Sequence, residues 1–334
     1  MDTGQNRLAE DPDGAIGTAV ILISARTIPS AIYKAMQVVL ERGYKIRTQY
    51  DRRDARGDYI DPPSLDVSSA IEITQPFGQP RFPKSSCVEI GKYIAETCWG
   101  VKDHLVLNQE ELKEKLARGI FDEKAETHWP YTYHQRLYAY PASKGRRINQ
   151  VEKMLERLAE DPLTRRATAI TFVPEIDQYM KGDLPCLQRI ALRCTGGPDG
   201  RLYLHMNTHW RSRDLFNAAA DNIIAMTFWQ QEWAGELSRR MDREVLVGKY
   251  KDFADSLHIY GQVLQSMDVE KMVTTWNRLP EAGQGYTSED ARDLLVLPDL
   301  EKLLAEDTQW HFPQEAKDRI TKETERMKQG EYLP

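Results

Sequence analysis

The 334-residue chain carries 45 Lys and Arg against 51 Asp and Glu, a net charge of -6, which excludes a general nucleic-acid binder; any phosphate it holds must be held by a local arginine cluster. Hydrophobic residues at 41% and charged residues at 29% are those of an ordinary soluble globular protein, long enough to bury a large core. The four cysteines, Cys87, Cys98, Cys186 and Cys194, lack C-x-x-C spacing and a partnering histidine series, so neither a metal site nor a disulfide framework is indicated, and a reducing, cytoplasmic compartment is the default.

In chain order, residues 1–17 read as an acidic mobile tail without the pattern of a signal peptide, and residues 18–334 as one domain. Residues 19–23 are a short β-branched strand, too short to span a bilayer, so no membrane partner is expected. Ser30 can cap a helix with Ile32, Met36, Val39 and Leu40 at helical spacing, ended by Gly43. A polar, basic loop, residues 47–53, precedes a strand over 67–73. The stretch 85–99 reads as a mostly apolar helix carrying Glu89, whose carboxylate is costly on a buried face unless paired or functional, and ordinary on a wet one. A charged helix over 109–118 leads to the aromatic stretch 128–135, suited to lining a pocket for a flat heterocycle or to packing its rings on the core.

An amphipathic helix over 148–158 runs into a turn bearing Arg165 and Arg166, then a strand over 167–173. Residues 187–194 and 202–206 form a hairpin around Gly196-Gly197-Pro198-Asp199-Gly200. A long buried helix over 214–241, short apolar runs at 245–247 and 253–260, and a charged helix over 314–331 complete the chain. Strands and helices mix without strict alternation, so the expected fold is α+β, a single domain around one large mixed sheet flanked by helices.

The chemistry concentrates between residues 184 and 222. Cysteine is the best nucleophile near neutral pH, but only as thiolate, and a neighbouring arginine lowers its pKa. Cys186 follows Pro185 at a strand start and precedes Arg211 in the next strand, although a cysteine so placed is also commonly a small buried hydrophobe.

The segments Asp161-Pro162-x-Thr164-Arg165-Arg166, Leu184-Pro185-Cys186, Arg211-Ser212-x-Asp214, Asn222 and His258-x-Tyr260, in that order, resemble the thymidylate synthase family, which includes the pyrimidine-nucleotide hydroxymethylases. Residues 148–151 look like the family's I-D-Q-I helix start, and the resemblance covers about residues 30 to 265. It implies a homodimer whose sheets pack across the interface, a pyrimidine nucleoside monophosphate as substrate, and 5,10-methylenetetrahydrofolate as one-carbon donor. Cys186 would add to C6 of the base, Arg211, Ser212 and Arg52 would hold the phosphate, and Arg165 and Arg166 would reach the neighbouring active site. The resemblance gives Asp214 to the base, His258 and Tyr260 to the ribose, and Glu89, in the spacing Ser85-x-x-x-Glu89, to proton handling through water. Tyr133, two residues before Gln135, sits near the place of the family's tyrosine close to C5, one residue out of spacing.

The departures are equally informative. Leu187 stands where the family has a histidine, Ala218, Ala220 and Asp221 replace its glycine, proline and phenylalanine, and Ser256 replaces the aspartate of D-T-H-x-Y. The hairpin after Cys186 is longer than usual, and the last residues lack the synthase ending. A synthase completes the reaction by hydride transfer from the folate, a hydroxymethylase by adding water, and these departures favour the second. Asn222 can serve uracil or cytosine by flipping its amide, whereas an ionised Asp221 accepts from the cytosine amine. The expected activity is therefore 5-hydroxymethylation of CMP or dCMP; the alternatives are dUMP methylation and a non-catalytic nucleotide-binding homologue.

Overall fold

The computed structural model describes residues 18–85, 89–122, 128–305 and 310–330; the expected tail over 1–17 and Cys87 lie outside them. Alternation of apolar and polar residues lays out the sheet. In β1 (Val20–Ala25), Ile21, Ile23 and Ala25 are buried while Val20 and Leu22 face outward. Helix α1 (Ile28–Arg42) starts two residues before Ser30, because Pro29, with its preset φ, falls in the first turn. Gly43 ends α1 where the chain turns tightly: a Cβ there would lie 2.4 Å from the carbonyl oxygen of Val39.

Then come β2 (Tyr44–Ile46), β3 (Ser64–Ile73), α2 (Ile90–Trp99), α3 (Gln109–Ala117), α4 (Tyr133–Tyr138) and α5 (Gln150–Glu160). They are followed by β4 (Thr168–Ile170), β5 (Leu187–Gly196), β6 (Leu202–Trp210), β7 (Arg213–Asp214), α6 (Ala219–Met241) and β8 (Val245–Ile259). Helix α2 begins later than its apolar run predicts, since Glu89 sits before it in the left-handed region, at φ 59°. Helix α6 also starts late: Asp214 accepts hydrogen bonds from the amides of Phe216 (3.1 Å) and Asn217 (3.0 Å), committing those residues to a turn. The two apolar runs at 245–260 are one continuous strand, β8.

The sheet is mixed, as expected, and its eight strands run β1-β3-β8-β6-β5-β4, with β2 beside β3 and β7 beside β8. One face is covered by α1, on β1 and β3, and by α6, on β6 and β8. Ile21, Ile71, Leu192, Leu204 and Met206 meet Met226, Phe228 and Trp229 there in a single core. On the opposite face Leu22 is 82% exposed, and Val20, Ile170 and Phe253 are also exposed. Among the described residues no helix is long and apolar enough to cross a membrane.

Among the described residues three register shifts interrupt the ladders; one lies between Val247 and Tyr250, where β8 pairs with β6, and the other two lie beside candidate site residues. One of these two lies between Leu187 and Arg189, directly after Cys186. The other lies between Ala254 and Leu257, opposite β3. Before it the core face of β8 takes Tyr250, Asp252 and Ala254; after it, Leu257 and Ile259. The extra residue shifts the alternation by one, so Ser256 and His258 leave the core face.

Candidate active site

The bulged ends of β5 and β8 border a cavity of about 660 Å³, a size suited to a small organic ligand. Its lining includes Cys186, Arg211, Ser212, Arg47, Tyr131 and Asp183, and also Asp66, Ser256, His258 and Tyr260.

Cys186 is held by its backbone. Its amide and that of Leu187 both donate to the Tyr133 hydroxyl, at 3.2 and 3.3 Å, and its carbonyl accepts from the amide of Arg211 at 2.9 Å. The Arg211 guanidinium donates to the carbonyls of Leu184 (2.6 Å) and Pro185 (3.2 Å), clamping the turn that carries the thiol. Arg211 and the buried Arg213 favour the thiolate, but burial outweighs them and, with Asp183 adding to it, holds the Cys186 thiol above its ordinary value. Proximity to arginine alone predicts the opposite sign. Desolvation of a half-buried sulfur is the larger effect. Burial likewise pushes the Tyr133 hydroxyl up, so it stays protonated.

The same cavity is lined by a polar group assembled across strands. Ser256 Oγ donates to Asp66 Oδ2 at 2.5 Å and lies 3.1 Å from His258 Nδ1. Asp66 and His258 are register partners on β3 and β8. Burial raises the Asp66 carboxyl to about 6 and lowers His258 from its ordinary value. Asp66 Oδ1 and His258 Nε2 are buried and take no hydrogen bond from the protein. An acceptor buried in that way costs about 1–3 kcal/mol.

Other residues singled out by sequence lie elsewhere. Arg52 is folded against the fully buried Asp61 in a multiple ion pair, and Arg47, from the same basic loop, lines the cavity instead while donating to the Asp61 carbonyl at 2.7 Å. Glu89 is half exposed, pairs with Lys92 (3.0 Å) and Lys302 (3.2 Å), and is held below its ordinary value by them; the carboxylates in the cavity wall are Asp66 and Asp183.

The Asn222 amide is committed. Its Oδ1 accepts from Arg213 Nη1 at 2.7 Å and its Nδ2 donates to the Tyr93 hydroxyl at 2.5 Å, while Arg213 also pairs with the buried Asp252. Asp221 precedes it in the first turn of α6, and Asp214 caps the β7 turn; neither lines the cavity. Gln135 is buried in α4, away from the cavity lining. Arg165 and Arg166 are exposed. Sequence reasoning did not single out Asp66, Arg47, Tyr131 or Asp183. Arg47 and Tyr131 lay in stretches already marked as basic and aromatic; Asp66 carries a weaker signal, a carboxylate next to the apolar run at 67–73.

The α+β sheet carries a half-buried cysteine, an arginine clamp and a polar pocket at its bulged end. The family model described as thymidylate synthase matches residues 86–284, more than half of the chain. A protein of Methanocaldococcus jannaschii named "Putative thymidylate synthase" is 33% identical over 245 residues, spanning 72% of this chain and 91% of that protein. A protein of the same name from Methanosarcina acetivorans is 27% identical over 241 residues, 72% of this chain and 89% of its own. The solved thermostable thymidylate synthase A from Bacillus subtilis shares the fold, with a TM-score of 0.51 at 17% identity over 74% of this chain and 84% of that one. The chain belongs to the thymidylate synthase family, whose members are one-carbon transferases that use methylenetetrahydrofolate.

Proposed function

We propose that the protein transfers a one-carbon unit from 5,10-methylenetetrahydrofolate to C5 of a pyrimidine nucleoside 5′-monophosphate, giving 5-hydroxymethylcytidylate from CMP or dCMP. The observation that carries this reading is the Cys186 thiol in the wall of a cavity that also exposes Arg47 and Arg211. The two guanidinium groups suit the phosphate, with Ser212 beside Arg211. Tyr131, whose ring centroid is 5.9 Å from that of Tyr133, offers an aromatic face beside the thiol on which a pterin ring fits.

Cys186 forms a bond from sulfur to C6 of the base, and the displaced π electrons make C5 nucleophilic. Tyr133 and Arg211 hold the backbone on both sides of the sulfur, so its approach is set before the nucleotide arrives. The folate supplies the carbon that C5 takes up. Loss of the C5 proton, with cleavage of the bond from the new carbon to the folate nitrogen, releases tetrahydrofolate and leaves an exocyclic methylene on C5; water adds to that methylene, and expulsion of the Cys186 sulfur from C6 restores the ring. Leu187, Ala218, Ala220 and Asp221, which depart from the family's pattern, flank Cys186 and the start of α6 and support this altered outcome. The choice of cytosine rests on the departure from the family's pattern at Asp221, which lies in the first turn of α6 outside the cavity lining, next to an Asn222 amide that is not free to flip.

The test is tritium release from 5-labelled CMP, dCMP, UMP and dUMP in the presence of methylenetetrahydrofolate. Release from a cytidylate without the absorbance of dihydrofolate supports the proposal; release from dUMP with that absorbance supports methylation instead, the reading favoured by the relatives' names. No release from any of the four overturns the enzymatic reading.

We further infer a homodimer that pairs the uncovered sheet faces through Leu22, Ile170 and Phe253, and brings Arg165 and Arg166 to the partner's nucleotide. Mixing Cys186→Ser chains with chains carrying Arg165→Ala and Arg166→Ala should recover activity that neither parent has. Sedimentation as a monomer at micromolar concentration would exclude the dimer.

A further inference from the structure

We propose that Asp66 accepts a hydrogen bond from the 2′-hydroxyl of the bound nucleotide, making a ribonucleotide the preferred substrate over its 2′-deoxy counterpart. This rests on the reading above that a pyrimidine nucleotide occupies the Cys186 cavity.

The bulge at 254–257 turns Ser256 and His258 away from the core face, and the register sets His258 opposite Asp66 on the neighbouring strand. Cross-strand partners of this kind place their side chains side by side on one face. Ser256 has one hydroxyl proton and gives it to Asp66 Oδ2. Its oxygen then accepts from His258 Nδ1, which fixes the neutral tautomer in which Nδ1 carries the proton and Nε2 is an acceptor. The residues of this wall therefore hold two acceptors without a protein partner, Asp66 Oδ1 and His258 Nε2, each with almost no surface open to solvent. Their residues are 6% and 5% exposed, both line the cavity, and neither atom takes a hydrogen bond from the protein.

A ligand matching such a wall must bring two neighbouring O–H donors. The phosphate brings acceptors, and the base is required at Cys186. The sugar remains, and only a ribose has hydroxyls on adjacent ring carbons. One fits His258 Nε2 and the other Asp66 Oδ1. A deoxyribose would set a bare methylene against the carboxylate and leave it unsatisfied, which is how a polar site rejects an analogue that lacks a hydroxyl. Asp66 belongs to none of the motifs that carry the family resemblance, and it stands beside Ser256, where the family's aspartate is missing.

The experiment is calorimetric binding of CMP, dCMP, UMP and dUMP to the full chain, repeated with Asp66→Ala and Asp66→Asn. For whichever base binds, the ribonucleotide should bind about tenfold or more tighter than the deoxynucleotide. Asp66→Ala should bring the two within about threefold of each other, mainly by weakening the ribonucleotide, and Asp66→Asn, which keeps an acceptor oxygen, should fall between. Equal or tighter binding of the deoxynucleotide to the unaltered protein overturns the proposal while leaving the pyrimidine reading intact. So does a ribose preference that survives in Asp66→Ala. Binding of none of the four overturns both. Should the alanine variant fail to fold, the ratio in the unaltered protein and in Asp66→Asn decides.

Discussion

The two walls of the cavity are built on opposite principles. Around Cys186 the backbone is fully engaged: the amides of Cys186 and Leu187 share the Tyr133 hydroxyl, and the carbonyls of Leu184, Pro185 and Cys186 are taken by Arg211. At the β3–β8 part of the lining, Asp66 and His258 each keep one buried polar atom without a protein partner. The first wall is preorganised and gains little positioning from a ligand. The second carries an unmet desolvation cost that a matching ligand relieves. A fixed nucleophile sharing a cavity with an unsatisfied recognition surface separates chemistry from selection, and substitutions in the two should differ accordingly.

The largest effect should come from the fixed wall. Cys186→Ser should lower tritium release from the preferred nucleotide by at least about 10³-fold, with nucleotide binding by calorimetry retained. A variant that kept full activity would remove Cys186 from the chemistry. Arg211→Ala withdraws a cation from the cavity and two hydrogen bonds from the Leu184 and Pro185 carbonyls. Its kcat/KM should fall by about 10²-fold, with kcat and KM both affected because the same side chain positions and binds. A change confined to KM would assign it to binding alone.

On the unsatisfied wall the expected effect is smaller and depends on pH. The Asp66 carboxyl loses its proton near 3.8 when unfolded and at about 6 when folded. Between those values the folded chain holds a proton that the unfolded chain lacks. Stability therefore falls as pH rises from 3.8 to 6, and the penalty is fully present above about 6. Asp66→Asn removes the titration, so it should be the more stable protein at pH 8 by on the order of 2 kcal/mol, and the advantage should vanish towards pH 4. Denaturant melts at the two pH values measure it. A variant less stable than the parent at pH 8 would contradict a strained ionised Asp66.

These walls also differ in how far they can be read from the chain. Cys186, Arg211 and Ser212 lie within one hairpin, where strand alternation and turn residues set their relation, so a local motif suffices. Asp66 and His258 meet only because β3 pairs with β8 in one register, and Ser256 joins them only because a bulge shifts that register; neither is written in local periodicity. The choice between Arg47 and Arg52 was likewise not local. Both stand in one basic loop, and Arg52 leaves the cavity because the buried Asp61, nine residues on, captures it. Glu89 was misplaced for another reason. The apolar run suggested a longer helix, whereas the chain takes a left-handed residue at Glu89 and leaves that carboxylate among lysines. The mixed sheet, by contrast, followed from apolar runs that are long and regular.

The smallest effect concerns the electrostatics of the thiol itself. Burial, the largest influence on Cys186, holds its pKa above the ordinary thiol value, Arg211 opposes that, and Asp183 reinforces it. Alkylation of Cys186 by iodoacetamide in the nucleotide-free protein, followed by mass spectrometry of the peptide that contains it, should therefore keep accelerating beyond pH 9. Arg211→Met removes a favourable cation and should move the midpoint upward; Asp183→Asn removes an unfavourable anion and should move it downward. A midpoint below pH 8 in the unaltered protein would mean that the arginine field, not desolvation, governs the sulfur. In that case the thiolate would be ready before any nucleotide binds. A midpoint above 9 assigns part of the activation to the bound state, where the nucleotide displaces water from the cavity and the arginines act on the sulfur through a drier medium.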